Sequence, residues 1–348
     1  MTDYSLRTIP DLSVADLRKM YEQEQVRDVL VDSSEVTFDA AGSGVVRFKP
    51  KEGGSSKEVE VALDGALNHF AGWLGVPAPF ISRQDADVQD TILNLLMGRK
   101  PGDFVVGVGK SGTIQEIRSP GMERIDPRAV IDVAARVVGD DAQVIDGWRD
   151  ATEYRFDVVV RDGSDYAIGG DPKVNDITKG GLRFGQDTKH RLAPWVAPFL
   201  FRLVCTNGME HPQVGSPVSL RQSISEAMGE LELAARLAFD RVETEIAAFY
   251  DLRNKKVGDA EQMLIRLQRE RGFSSSALTK MLERVPALVE DPADATLFDV
   301  VNVVTNIANL PGTVEKPNAR RKLEQAGGFV ISDHAARCPR CQSALGGH

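Results

Sequence analysis

The sequence is short of several things, and each shortage excludes a class of protein. No stretch approaches the ~20 uninterrupted apolar residues that cross a bilayer as a helix, so no membrane association is expected. Met1-Thr2-Asp3-Tyr4 carries neither the basic start nor the apolar run of a signal peptide. Three cysteines in 348 residues, Cys205 alone and Cys338 close to Cys341, make a poor disulfide framework and suit a reducing compartment. The expected location is therefore the cytoplasm. Positive charge is also in deficit, with 42 Lys and Arg against 51 Asp and Glu, a formal −9. That balance excludes a protein that coats nucleic acid by bulk charge. A local basic groove on an acidic body stays open, because binding follows the local field.

What is present is ordinary globular material: 42% hydrophobic and 27% charged residues. The length suits two domains of ~150 residues each. Residues 1–64 read as a helix followed by a β-meander. Asp11-Leu12-Ser13 caps a helix through Leu17, Met20 and Tyr21. Segments 28–31, 35–39, 45–48 and 58–63 then alternate between Gly, Ser and Asp breaks, as antiparallel strands do. A central α+β domain follows over 65–215. Leu67, Phe70 and Leu74 mark one amphipathic helix there, and Val88, Ile92, Leu95 and Leu96 mark another. Strands are expected at 103–108, 113–117 and 154–160, with Pro127 opening a helix between them.

Past Pro217 the pattern becomes helical, over 216–327, ahead of a tail at 328–348. One long helix is expected over 221–250. Its apolar residues Ile224, Met228, Leu231, Ala235, Ala238, Val242 and Phe249 fall close to a heptad seam. Such a seam packs inside its own bundle or pairs with a second copy, as a homo-oligomer. Shorter helices are expected over 259–271, 275–289, 296–310 and 318–325. The class is α+β: an antiparallel, sheet-rich N-terminal and central region with a helical C-terminal half.

Three motifs carry chemistry. Gly107-Val108-Gly109-Lys110-Ser111 imitates a phosphate-binding loop, but Phe104 stands where the first Gly is needed, and a strand follows where a helix is required. It reads as a hairpin turn. In the tail, Cys338-Pro339-Arg340-Cys341 forms a knuckle, with His334 upstream and His348 downstream in the pattern H-x3-C-x2-C-x6-H. Thiolates and imidazoles at this density suit a structural zinc ion with a closed four-ligand shell. The other reading is an exposed tail with no structural role. The third motif is a cationic stretch over 179–202, where Lys179, Arg183, Lys189, Arg191 and Arg202 face one Asp187, a net +4. Phe184, His190, Trp195 and Phe199 are interleaved with these cations. Charge for phosphates and flat rings for bases is what single-stranded nucleic acid requires. In the other reading, Trp195 and Phe199 are core and the charges line a solvated edge. Arg320, Arg321 and Lys322 form a second cluster at a helix start, where cations oppose the macrodipole, which suits a partner or a solvated face. Cys205, in an apolar run, reads as a buried small hydrophobe, and Asp85, Asp87 and Asp90 as a favourable helix N-terminus.

From Phe70 onward several landmarks resemble an uncharacterised family of phage/plasmid-like proteins. They are Phe70-Ala71-Gly72-Trp73-Leu74-Gly75-Val76-Pro77, Gly181-Leu182-Arg183-Phe184, Phe201-Arg202-Leu203-Val204-Cys205-Thr206-Asn207-Gly208-Met209, and the run from Leu297 to Asn306 that leads to Arg320-Arg321-Lys322. The likeness spans about residues 65–325. It implies a mobile-element origin and an α+β domain, but no catalytic residues. Where the family often shows Asn-Ser-Glu, this chain has Gly185-Gln186-Asp187. The leading expectation is a non-catalytic accessory protein of DNA metabolism that binds nucleic acid, chiefly single-stranded, as an oligomer. The alternative is a protein-interaction or assembly module with no affinity for nucleic acid.

Overall fold

The computed structural model describes residues 4–5, 12–22, 26–51, 57–110, 112–149, 153–159, 165–167, 177–187, 194–202, 207–210, 224–309 and 317–337. Alternating polar and apolar residues build two antiparallel sheets, and the 3.6-residue period builds the helices that cover them. The class is α+β.

The smaller sheet is formed by β2 (Val26–Asp39), β3 (Val45–Pro50), β4 (Val59–Ala62), β5 (Asp103–Gly109) and β6 (Ile114–Arg118), in the order β4-β3-β2-β5-β6. Segments 28–31 and 35–39, read as two strands, are one long β2 with a register shift between Val31 and Val36. Helices α2 (Leu63–Leu74), α3 (Ala78–Ile81) and α4 (Ala86–Gly98) pack on it over Phe38, Phe48, Phe70, Phe104 and Leu93. Phe70 sits edge-on to both Phe38 and Phe104, at 5.0 and 6.4 Å between ring centres. Each such buried ring contributes about 1.5–3 kcal/mol. Two polar residues of α4 bind the far end of β2. Asn94 exchanges a pair of 2.9 Å hydrogen bonds with the backbone of Phe38, and Asp90 accepts from Ala40 N and Ala41 N. The phosphate-loop imitation is a β5–β6 connection, closed by Gly109 N donating to Thr113 O.

The larger sheet takes β1 (Tyr4–Ser5), β7 (Gln143–Arg149), β8 (Glu153–Val159), β10 (Ile177–Asp187), β11 (Trp195–Arg202) and β12 (Asn207–Glu210), in the order β1-β7-β8-β10-β11-β12. The short β9 (Asp165–Ala167) also pairs with β10. The expected unit over 1–64 is divided between the two sheets. Its strand β1 pairs with β7, and its helix α1 (Val14–Glu22) packs with α5 (Pro127–Val138) on the larger one. Periodicity identifies an element's buried face but not which sheet receives it.

The expected helix over 221–250 divides at Arg241 into α6 (Ile224–Asp240) and α7 (Val242–Asp251). The seam residues face inward throughout. Met228, Leu231, Ala235 and Ala238 join the core under the larger sheet, while Val242 and Phe249 join a second core with α8 (Ala260–Arg271), α9 (Ser275–Leu288), α10 (Leu297–Asn309) and α11 (Pro317–Arg337). The last helix far exceeds the expected 318–325. Gly327 and Gly328 do not stop it, since a Cβ at Gly327 would stand 3.0 Å from the Thr305 methyl of α10. Here Gly lets two helices pack closely.

Candidate functional site

Strand alternation gives the larger sheet two unlike faces. On one face Tyr154, Phe156, Val158, Leu182, Phe184 and Val196 pack against α1, α5 and α6. Their neighbours Arg155, Asp157 and Arg183 must then point the opposite way, toward α11. Asp146 joins them through a register shift between Val144 and Asp146, which returns β7 to step after an irregularity. Without it, Val144 and Asp146 would share the apolar face.

Cross-strand register lines these charges up. Asp146 on β7 stands opposite Asp157 on β8, and Asp157 stands opposite Arg183 on β10. One rung along, Trp148 faces Arg155, Arg155 faces Gly185, and Gly185 faces Trp195. Helix α11 lies over both rungs and supplies Arg320, Arg321 and Glu324. A Cβ on Gly185 would come within 2.5 Å of the Trp195 ring, so only Gly lets that indole lie across β10.

Arg183 is the hub and exposes none of its surface. Its Nε and Nη2 donate to the two carboxylate oxygens of Asp157, both at 2.6 Å, and its Nη1 donates to Glu324 Oε2 at 2.6 Å. The guanidinium plane stacks 4.5 Å over the Phe199 ring. Arg320 completes the circuit, with Nε to Glu324 Oε1 at 2.9 Å and Nη2 to Asp146 Oδ2 at 2.5 Å. Arg155 sits at the centre, 3.8–4.0 Å from Asp146, Asp157 and Glu324, and its Nε and Nη1 make no hydrogen bond. Three guanidinium groups thus meet three carboxylates, and the formal charges cancel.

The electrostatics follow from burial opposed by these neighbours. Burial pushes the Asp157 carboxyl above its ordinary range, against the pull of Arg183 and Arg155, and the adjacent Asp146 adds to the rise. Burial acts on Glu324 the same way, but Arg183, Arg320 and Arg155 outweigh it and hold that carboxyl at about 2. For Arg155, burial and the charge of Arg183 lower the guanidinium below its usual value. A group of this kind adds little net stability compared with well-packed apolar residues, but it penalises any arrangement that separates its members. In this conformation Arg183, Asp157 and Glu324 expose no side-chain surface that a substrate can reach.

Among the described residues of the cationic stretch, Arg183, Phe184, Trp195 and Phe199 are not on the surface that its composition suggested. Arg183 is buried and ion-paired, because position 183 lies on a covered sheet face. Trp195 is buried under the Arg321 guanidinium, 3.8 Å from its ring, and Arg321 Nη1 lies 3.8 Å from Glu153 Oε1. Arg320 is held by Asp146 and Glu324. Phe184 stacks on Phe156 at 5.3 Å inside the apolar core. Lys179 is half-buried on β10, and Lys322 is exposed on α11. Lys189, His190, Arg191 and the Arg202 side chain lie outside the described residues, as does Cys205. Of the expected zinc ligands, His334 lies on α11 with Nε2 2.8 Å from Asp251 Oδ2, and Cys338, Cys341 and His348 lie outside the described residues. Among the described residues no group of three or more His, Cys, Asp or Glu is gathered for a metal.

No family model, curated protein or solved structure matches this chain. The resemblance to phage/plasmid-like proteins stands on the sequence landmarks alone. No described helix is long and apolar enough to cross a membrane.

The sequence reading missed Asp146, Arg155, Asp157 and Glu324. The signal was present in the strand over 154–160, whose polar positions 155 and 157 alternate with apolar ones. Alternation marks a second face, and charge there is ordinarily read as solvent-facing. Only the placement of α11 shows that the face is covered.

Proposed function

We propose that this protein is an assembly module that pairs with a second copy of itself through the outer face of α6. The observation that carries the reading is that Leu233 and Leu237, one turn apart, are 60% and 51% exposed, while the inward seam of the same helix is already packed. Large exposed apolar side chains set side by side mark contact surfaces more often than isolated ones do.

Charge argues for a second copy as the occupant. The exposed strip runs from Glu226 and Glu230 through Leu233 to Arg236 and Arg241. Its N-terminal half is acidic, and its C-terminal half carries both arginines beside exposed Asp240, with Arg236 also 2.7 Å from Glu232. Two such helices laid antiparallel about Leu233 set Glu230 near the partner's Arg236, and set the bare backbone of Gly229 under the partner's Leu237. The Glu230–Arg236 and Gly229–Leu237 pairs repeat on both sides of the two-fold axis, as an isologous contact requires, while Asp240 falls opposite the partner's Glu226. One helix face falls at the small end of interface sizes, below about 1,200 Å² in total, so association should depend on concentration.

Light scattering tests the reading. Mass is expected to rise from 38.0 kDa toward twice that value with concentration, and a Leu233→Glu, Leu237→Glu double variant is expected to stay at 38.0 kDa. A wild-type mass fixed at 38.0 kDa at every concentration would overturn the proposal. A gel shift with labelled oligonucleotide at low salt separates the nucleic-acid reading that the sequence favoured. Binding there would return the function to nucleic acid, through cations other than Arg183 and Arg320.

A further inference from the structure

Among the described residues six large apolar side chains are exposed, and three of them, Phe80, Val88 and Leu95, lie on α3 and α4. Periodicity gives α4 an apolar stripe of Val88, Ile92, Leu95 and Leu96, yet the helix seats on the smaller sheet by its other side. Leu93 and Met97 are buried there, Asn94 exchanges two hydrogen bonds with the Phe38 backbone, and Asp90 accepts from Ala40 N and Ala41 N. These contacts fix the roll of the helix. The stripe is left outward, with Ile92 and Leu96 half-buried and Val88 and Leu95 40% and 52% exposed. A helix already seated by one side gains nothing within its own fold from a second apolar side.

The rest of this outer side suits another helix lying across it. Thr91 stands between Val88 and Leu95, and its hydroxyl already donates to Asp87 O at 2.8 Å, so covering it strands no donor. Gly98 has no positive φ and nothing within 4 Å of where a Cβ would stand, so neither a turn nor packing within the chain requires glycine there. Its bare backbone admits a side chain from another molecule. Asp87 and Arg99 are exposed at opposite ends.

We propose that α4 is a second self-association face, on which α4 of another copy lies antiparallel, centred level with Leu93. That centre sets Thr91 against the partner's Leu95, Val88 over the partner's Gly98 and Asp87 beside the partner's Arg99, each pair repeated about the two-fold axis. Lys100, which also donates to Trp73 O, comes level with the partner's Ala86, between acidic positions 85 and 87, so no like charges meet over 85–100. Arg83, exposed, precedes the helix. Val88 and Leu95 offer less open apolar surface than Leu233 and Leu237, at 60% and 51%, so the α6 pair forms first and the α4 contact follows at higher concentration. The α4 contact stands on its own observations, but its consequence rests on the α6 reading. One two-fold contact stops at two copies, whereas two different ones leave every pair with free faces, and assembly runs on.

Light scattering and sedimentation velocity on the full chain test this. Wild-type mass is expected to reach twice 38.0 kDa and then pass it as concentration rises. Leu95→Glu, at an exposed position, should keep the helical circular dichroism and weaken the second step by about ten-fold or more, holding the mass at twice 38.0 kDa. Asp87→Arg should weaken that step by about two- to five-fold, and adding Arg99→Asp should restore it, which a change in folding alone would not do. A wild-type plateau at twice 38.0 kDa with an identical Leu95→Glu profile would overturn the α4 contact and leave the α6 reading intact. Assembly of the Leu233→Glu, Leu237→Glu variant at wild-type strength, lost on adding Leu95→Glu, would keep the α4 contact and remove the α6 reading. A wild-type mass fixed at 38.0 kDa would overturn both.

Discussion

The two faces of the larger sheet share the same strands, register and depth, yet they are built from opposite chemistries. One face is Phe156, Phe184, Leu182 and Val158 against apolar helices. The other is Asp157, Arg183, Arg155 and Asp146 against a helix that brings Arg320 and Glu324. The apolar face is held by area, and many arrangements of similar volume would serve it. The ionic face is held by pairing, so its partners must arrive in one register or leave bare charge behind. The apolar layer therefore contributes by area, and the ionic layer adds a requirement on the register of α11, which also packs through Leu323, Ala326, Val330 and Ile331.

The difference can be broken first at the hub. Arg183→Met should cost about 3–5 kcal/mol in chemical denaturation, since it removes the bidentate partner of buried Asp157 and one of the two arginines that donate to Glu324. A cost below about 1 kcal/mol would show that the layer tolerates separated charge. On the opposite face, Leu182→Ala should cost about 2–5 kcal/mol through lost area and the cavity left behind. The loss should be similar at neutral and acid pH, because no ionisable group is involved.

Acid sharpens the contrast. Glu324 is held at about 2 in the folded state, below its ordinary value of 4.5. A depressed carboxyl contributes its full stability above the unfolded value and loses it as pH falls through the folded one. The penalty of Glu324→Gln relative to wild type should therefore be complete above pH of about 5 and fade between about 4.5 and 2. A penalty unchanged across that window would show that the carboxylate is not ionised within the layer. The smallest effect belongs to the rim. Arg321→Ala removes a cation stacked on Trp195 and should cost about 0.5–2 kcal/mol, with the fluorescence of that indole altered.

Much of the fold was legible in the sequence because its elements are locally consistent. The periodic run over 259–271 and the Pro127 start place two helices within a residue or so, and the 103–118 hairpin follows from its glycines. The candidate site was legible only as composition. Residues 179–202 hold cations and rings, but facing is a property of register, and Arg183 and Phe184 point to opposite layers. Carboxylates from β7, β8 and α11 were too remote in sequence to be assigned to those cations. The distance from Arg183 to Glu324, for example, is 141 residues along the chain.

The sequence by itself determined the α+β class, the strand and helix periods and an acidic body without a membrane-spanning helix, because each depends on neighbours a few residues apart. Tertiary structure decided that the heptad seam of residues 221–250 turns inward and divides between two cores. It also decided that Arg183, from a basic stretch, lies in a buried ionic layer whose formal charges cancel. Both outcomes depend on which distant element covers a face, and that choice is made by packing the whole chain at once.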